Sequence, residues 1–393
     1  MRARLLEHGL AALALCMCAA PGTVAAAPAS GTVPLLLDGE RIYAQVSFVR
    51  PDGTRHETLA FVDLGGPSLD VSAELMSELQ LDRRPVTLEV GMPVQVEPRA
   101  ISGDPGLPYF VGAHRKVEAV LPAAVLQSFQ IVIDYRQRTL TVAQPGTLRL
   151  TGVAIPATVD TATGLAAVAV SIDGHRYAVT LDAGSAYTWL SRSSAEGWLA
   201  AHPDWQRGIG AVGASNMRMA DDGIESAGLL LRIPEVRLGS LTLRDMGALA
   251  VGASREIGDF MDWYSKKNAR PVIGWLGGNV LQAFRLTIDY PNRMTYWQRQ
   301  SRAEARALEQ VGLTLAREHG RYFVAAVVTR AGRPTVEGVQ SGDQLLRIDA
   351  LAAAGASSSV VLAALHGQPG EMRHLVLERA HGTLQVDAPV TAF

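Results

Sequence analysis

Hydrophobic positions along this chain fall in short runs rather than long ones. Residues 44–49, 58–62 and 130–133 are alternating or continuous apolar stretches, each closed by Gly, Pro or Asp. Alternation and brevity of this kind predict strands, so from Val33 onward the chain reads as mainly β. Three segments break the pattern. The sequence DFMDWYSKK within 254–270 predicts a helix, in which Phe260, Trp263 and Tyr264 are expected to pack locally rather than form a rim that grips substrate. The charged run RAEARALEQ after Arg302 predicts a short linker helix, and residues 357–365 predict another helix further on.

The pattern also repeats. Residues 125–142, VLQSFQIVIDYRQRTLTV, align without gaps to 280–297, VLQAFRLTIDYPNRMTYW, with Val, Leu, Gln, Phe, Ile, Asp, Tyr and Arg identical. Upstream, LAFVDLGGPSLDVS from Leu59 matches AVTLDAGSAYTWLS from Ala178, so that Asp63 pairs with Asp182. Two copies of one unit are therefore expected in tandem. The second is longer, with the extra residues assigned to 204–216 and 254–270. Asp134 and Asp289 end a strand in each copy and are read as structural, capping the turn or bridging to Arg138 and Arg293.

Composition narrows the function. The chain has 393 residues, enough for two or three domains, with 36 Lys and Arg against 38 Asp and Glu. A net charge of -2 offers no basic excess for nucleic acid. Arg2 and Arg4, the apolar run 10–20 and the small-residue site Val24-Ala25-Ala26 read as a signal peptide over residues 1–26, which implies export, with a periplasmic location expected. A lipoprotein signal is the rival reading, although Leu15 before Cys16 and Met17 before Cys18 are bulkier than such sites accept. No later apolar run is long enough to span a membrane, and both cysteines lie in the leader, which leaves the exported chain without thiols. The histidines show no metal-ligand spacing, and neither a Gly-x-Ser-x-Gly elbow nor a phosphate loop is present, so no metal or cofactor is expected.

What remains is the pair of acidic turns. Asp182-Ala183-Gly184-Ser185 and Asp63-Leu64-Gly65-Gly66 each follow an apolar strand, and Trp275-Leu276-Gly277-Gly278 precedes a short helix late in the second copy. On these residues the chain resembles the aspartic proteases of the retropepsin and pepsin clan, whose site joins one Asp-Thr/Ser-Gly turn from each of two lobes. The resemblance implies two tandem retropepsin-like lobes, 31–146 and 147–300, with Asp63 and Asp182 catalytic, Gly65, Gly184, Ser185 and Gly277 in support, and polypeptides as substrates. It also implies that residues 208–213, GIGAVG, act as a flap. Leu64 and Ala183 stand where the family carries hydroxyls, and Pro122 where the second copy has Gly277. Three arrangements follow: a working dyad, an inactive pseudoprotease whose aspartates only stabilise their turns and which serves as a peptide-binding or envelope scaffold protein, and a dyad made by two second lobes in a homodimer, which a covalently linked first lobe disfavours.

The last part, 303–393, contains Gly338-Val-Gln-Ser-Gly-Asp-Gln-Leu-Leu-Arg-Ile-Asp349 between a strand from Tyr322 and the 357–365 helix. It resembles a bacterial, circularly permuted PDZ domain. That resemblance implies binding of peptide C-termini, with Gly320, Arg321, Tyr322 and Phe323 as the carboxylate loop and residues 322–328 as the edge strand that receives the peptide.

Overall fold

Strand Arg55–Asp63 carries the first acidic turn at its end and lies parallel to strand Val117–Pro122, with Val62 opposite Leu121 and Asp63 opposite Pro122. Beyond the turn the chain returns as Leu69–Ser72, which pairs antiparallel to the other side of Val117–Pro122 and parallel to Ile101–Asp104. One central strand thus holds the turn from both sides. The second half repeats the arrangement. His175–Leu181 lies parallel to Val272–Leu276, with Leu181 opposite Leu276, and Trp189–Ser191 pairs antiparallel to Val272–Leu276 and parallel to Leu241–Val251. In this computed structural model the described residues are 28–39, 41–104, 116–214, 227–252, 255–268, 270–380 and 382–393. The signal peptide expected over residues 1–26, with Cys16 and Cys18, lies outside them, as do His114 and His381.

Local chemistry explains why the two halves agree. Both acidic motifs end in a serine that caps the next helix: Ser72 Oγ accepts from Leu75 N–H ahead of Ala73–Leu79, and Ser191 Oγ from Ser194 N–H ahead of Arg192–Ala201. The two Ile-Asp-Tyr strand ends also match. Asp134 accepts from the Gln137 amide and Asp289 from the Asn292 amide, closing turns in which Arg138 and Arg293 adopt positive φ of 55° and 53°. The capping expected of these aspartates is present. Their expected bridges to the arginines of the same turns are not: Asp134 faces Arg285 and Gln300, while Asp289 takes the side chains of Gln130 and Asn292. In the left-handed conformation Arg138 and Arg293 turn the backbone rather than pair with the acid.

The halves join along these strands. Gln130–Asp134 pairs antiparallel with Phe284–Asp289, setting Gln130 opposite Asp289 and Asp134 opposite Arg285. Equivalent residues exchange places across the seam, as a local two-fold axis requires. One apolar core runs through both halves, from Val62, Leu64 and Leu121 to Leu181, Ala183 and Leu276.

The extra length of the second half includes the helix Arg255–Lys267, as expected, and a long hairpin, Leu229–Leu238 with Leu241–Val251. The linker helix is shorter than its charge pattern predicts, covering only Ala303–Arg306 before the chain becomes strand Glu309–Val311. Glu304 is buried there against Arg299 at 2.6 Å, so this segment is packed and not free. The C-terminal unit forms its own sheet, in which Leu313–Glu318, Arg321–Val327, Gln344–Ile348, Met372–Arg379 and Gly382–Ala392 are neighbours in that order, with helix Ser358–Leu365. It shares a core with the second repeat: Leu308, Val328 and the terminal Phe393 pack with Val212, Leu230 and Leu249.

Candidate active site

The parallel strands bring the two acidic turns face to face. Asp63 Oδ1 accepts from the Gly65 amide at 3.0 Å and Asp182 Oδ1 from the Gly184 amide at 2.9 Å. The next amides differ: that of Ser185 donates to Asp182 Oδ1 at 3.3 Å, whereas that of Gly66 donates to the Asp63 main-chain carbonyl at 3.3 Å. The two carboxyls face each other closely enough for each to bear on the other's charge. Their closeness accounts for the glycines. A Cβ on Gly184 would stand 2.7 Å from Asp63 Oδ1, and one on Gly65 would stand 2.9 Å from Asp182 Cγ.

Burial raises both acids above the ordinary carboxylate range, and Asp182, which also feels the charge of Asp63, goes up further. Two such acids in contact hold one proton between them, and the amides of Gly65 and Gly184 support the charge that they share. Such a pair combines a proton donor with a proton acceptor at one point.

The supporting residues divide. Gly277 is required by a close approach, since a Cβ there would fall 2.3 Å from the Tyr187 carbonyl oxygen. Its amide donates to Thr188 Oγ1, which in turn donates to Asn279 Oδ1, and Asn279 Nδ2 donates to the Gly247 carbonyl. Ser185 holds Asp182 through its amide, while its hydroxyl donates to the Tyr187 carbonyl at 2.7 Å. Leu64 and Ala183 are buried in the main core, so apolar packing occupies the positions where hydroxyls would brace the turns.

Sequence reasoning missed Tyr264. It lies on helix Arg255–Lys267, is buried among Trp275 and Trp263, and donates its hydroxyl to the Gly65 carbonyl at 3.0 Å, across the seam between the halves. Burial first, and then the charges of Asp182 and Asp63, push its hydroxyl well above the usual tyrosine range, so it remains a donor. The only signal in the sequence was an aromatic pair in a segment that the first copy lacks.

Two expectations need correction. Residues 208–213 do not form a free flap: Arg207–Ile209 pairs with Leu229–Leu238 and, through Ile209, with Thr329, while Gly213–Ala214 lies parallel to Leu313–Glu318. Thr314 Oγ1 donates to the Ala211 carbonyl at 2.5 Å, and Val212 is buried. The apolar run in GIGAVG serves a packed junction with the C-terminal unit. Likewise, the strand from Tyr322 is not an edge, because Arg321–Val327 lies between Leu313–Glu318 and Gln344–Ile348. Gly320 sits in the hairpin turn with φ of 78°, next to exposed Arg321; Tyr322 is buried and donates to the Ala356 carbonyl, and Phe323 is half-buried. Gly320, Arg321, Tyr322 and Phe323 therefore do not make an open carboxylate loop. The edge strand is Leu313–Glu318, and the chain's own Gly213–Ala214 already pairs along part of it.

Among the described residues no cluster of His, Cys, Asp and Glu is arranged to hold a metal. His56 lies between Glu118 at 2.9 Å and Glu78 at 3.4 Å, and His202 meets Asp173 at 2.6 Å. No helix among the described residues is long and apolar enough to cross a membrane.

No family model matches the chain, and no curated protein matches it. Among solved structures it is similar to a photosystem II D1 C-terminal processing protease, at 22% identity over 22% of this chain and 23% of that one, with a TM-score of 0.20. So slight a likeness, spanning so small a share of that protein, carries no conclusion about fold or activity.

Proposed function

We propose that the chain is an exported, periplasmic aspartic endopeptidase of two retropepsin-like lobes, 31–146 and 147–300, followed by a PDZ-like unit, 303–393. The observation that carries this reading is the facing pair of buried carboxyls, Asp63 and Asp182, each accepting from the amide two residues on. Two buried acids in contact are costly, and sharing one proton is the arrangement that lowers the cost while leaving an acid and a base side by side.

Hydrolysis would use both. Whichever acid is ionised takes a proton from water as the water oxygen bonds to the scissile carbonyl carbon, and the protonated one gives its proton to the carbonyl oxygen. The tetrahedral diol then collapses, with a proton passing to the departing amine nitrogen and one acid recovering the shared proton. The residues need no metal or organic cofactor for these steps.

A second reading, a pseudoprotease that binds extended chains without cutting them, is favoured by the apolar Leu64 and Ala183. Incubating the exported chain with unfolded protein across pH 3–8 separates the two. Cleavage that Asp63→Asn and Asp182→Asn each abolish, with the fold retained, supports the endopeptidase. Binding without cleavage supports the alternative. For the C-terminal unit, peptide recognition by strand addition at the outer edge of Leu313–Glu318 requires Gly213–Ala214, which pairs with Thr314 and Leu315 there, to give way.

A further inference from the structure

The acidic turns lack the hydroxyls that would tie one half to the other, yet the first turn is tied from elsewhere. The peptide unit between Gly65 and Gly66 has its carbonyl fixed by the Tyr264 hydroxyl at 3.0 Å and its N–H donating to the Asp63 main-chain carbonyl at 3.3 Å, with the Asp63 carboxyl alongside, since a Cβ on Gly66 would stand 3.0 Å from Asp63 Oδ2. A donor on the carbonyl of a peptide polarises that peptide and strengthens the hydrogen bond its N–H gives. Tyr264 thus acts on Asp63 through one amide plane, and it does so from the opposite half of the molecule.

The helix that carries it is itself held. Ser265 Oγ accepts from the Val272 amide at 2.9 Å, Asn268 closes the helix by donating its amide and side chain to the Tyr264 carbonyl, and the Tyr264 ring lies 6.0 Å from that of Trp275. Trp275 in turn stacks on Trp189 at 5.4 Å, on the strand that follows the second acidic turn. A Cβ built on Gly65 would be 3.0 Å from both the Tyr264 hydroxyl and Asp182 Oδ2, which puts that hydroxyl beside the second acid as well.

The geometry points to Tyr264 as a positioning residue that clamps the first acidic turn from the second repeat, fixing Asp63 against Asp182 where Leu64 and Ala183 supply no hydroxyl. This rests on the endopeptidase reading, because the clamp matters to the extent that the pair must share a proton. It assigns the insertion of the second repeat a part in the site, through a residue that is expected to touch no substrate.

The test compares wild type with Tyr264→Phe, which keeps the ring and removes the donor, and with 2,3-difluorotyrosine at the same position, which donates more strongly. The first readout needs no turnover: carbon NMR of side-chain-labelled aspartates, with Asp63 and Asp182 identified by their Asn variants. The groups facing the pair are Asp70 on the side of Asp63, Tyr135 on the side of Asp182, and Tyr264, so the lower apparent pKa of the dyad is the quantity to follow. Tyr264→Phe should raise it and the fluorinated residue should lower it. The second readout is cleavage, where Tyr264→Phe should cut kcat roughly tenfold with KM nearly unchanged and move the acid limb of the pH profile upward. Shifts in the titration with no cleavage by wild type would uphold the clamp and overturn the endopeptidase. A folded Tyr264→Phe with wild-type titration and kcat would overturn the clamp. If that variant does not fold, the fluorinated protein decides by the direction of its shift, and an unmoved dyad overturns the clamp.

Discussion

Gln130 Nε2 donates to Asp289 Oδ2 at 2.8 Å, joining equivalent strands of the two repeats through side chains that are almost fully buried. The residue related to Asp289 by the repeat, Asp134, meets Arg285 at 3.4 Å on the other side of the same axis. The seam that positions the two acids is therefore held by one neutral-to-charged bond in the interior and one ion pair nearer the surface. The two should differ in strength. Asp289→Ala strands Gln130 and Asn292 and should cost about 2 kcal/mol. Arg285→Ala removes a partly exposed partner and should cost less than about 1 kcal/mol. Denaturant unfolding of the two variants measures the difference, and equal losses would argue against this reading of the seam.

The glycines of the acidic turns give a sharper test, because an identical substitution has opposite effects at two positions. Gly184→Ala directs a Cβ at Asp63 Oδ1 and should abolish cleavage by separating the carboxyls. Gly197→Ala, on the exposed face of helix Arg192–Ala201 with nothing within 4 Å, should stabilise the protein by up to about 1 kcal/mol and leave activity alone. Thermal unfolding and a cleavage assay on both variants check this.

The raised acids predict how stability depends on pH. An acid whose pKa is higher folded than unfolded makes the native state bind more protons once pH passes the unfolded value of about 4. Its contribution is fully present below that pH and is lost as pH climbs through the folded value, above which no more is lost. Asp182→Asn has no such proton to lose. Relative to the variant, wild type should therefore weaken by about 1.4 kcal/mol per pH unit within that window, and the two stability curves should run parallel outside it. Parallel curves throughout would mean that burial does not raise Asp182.

The junction between segment 211–214 and the C-terminal sheet should open locally. Thr314→Val keeps the shape of the side chain and removes its bond to the Ala211 carbonyl. Amide exchange at Val212, Gly213 and Ala214 should quicken by roughly fivefold to tenfold, since one hydrogen bond is worth about 1 kcal/mol, while exchange in Arg321–Val327 stays unchanged. Exchange that quickens across the whole C-terminal sheet would show instead that the bond supports the unit globally.

The β-rich pattern, the tandem repeat and the matching of Asp63 with Asp182 were legible in the sequence, because they follow from local rules. Alternation marks strands, serine caps the next helix in LDVS and TWLS, and an aspartate closes each Ile-Asp-Tyr turn. These rules act over a few residues and so leave their mark in order along the chain. Three features were decided only by the tertiary structure: the hydroxyl of Tyr264 on Gly65, the docking of 208–214 on the C-terminal sheet, and the choice of Leu313–Glu318 rather than Arg321–Val327 as the edge. Each depends on which surfaces meet after folding, at separations where hydrophobic periodicity carries no information about partners. An apolar run such as GIGAVG reads the same whether it will cover a cleft or fill a junction, and an aromatic in a helix reads the same whether its hydroxyl finds solvent or the backbone of the opposite lobe.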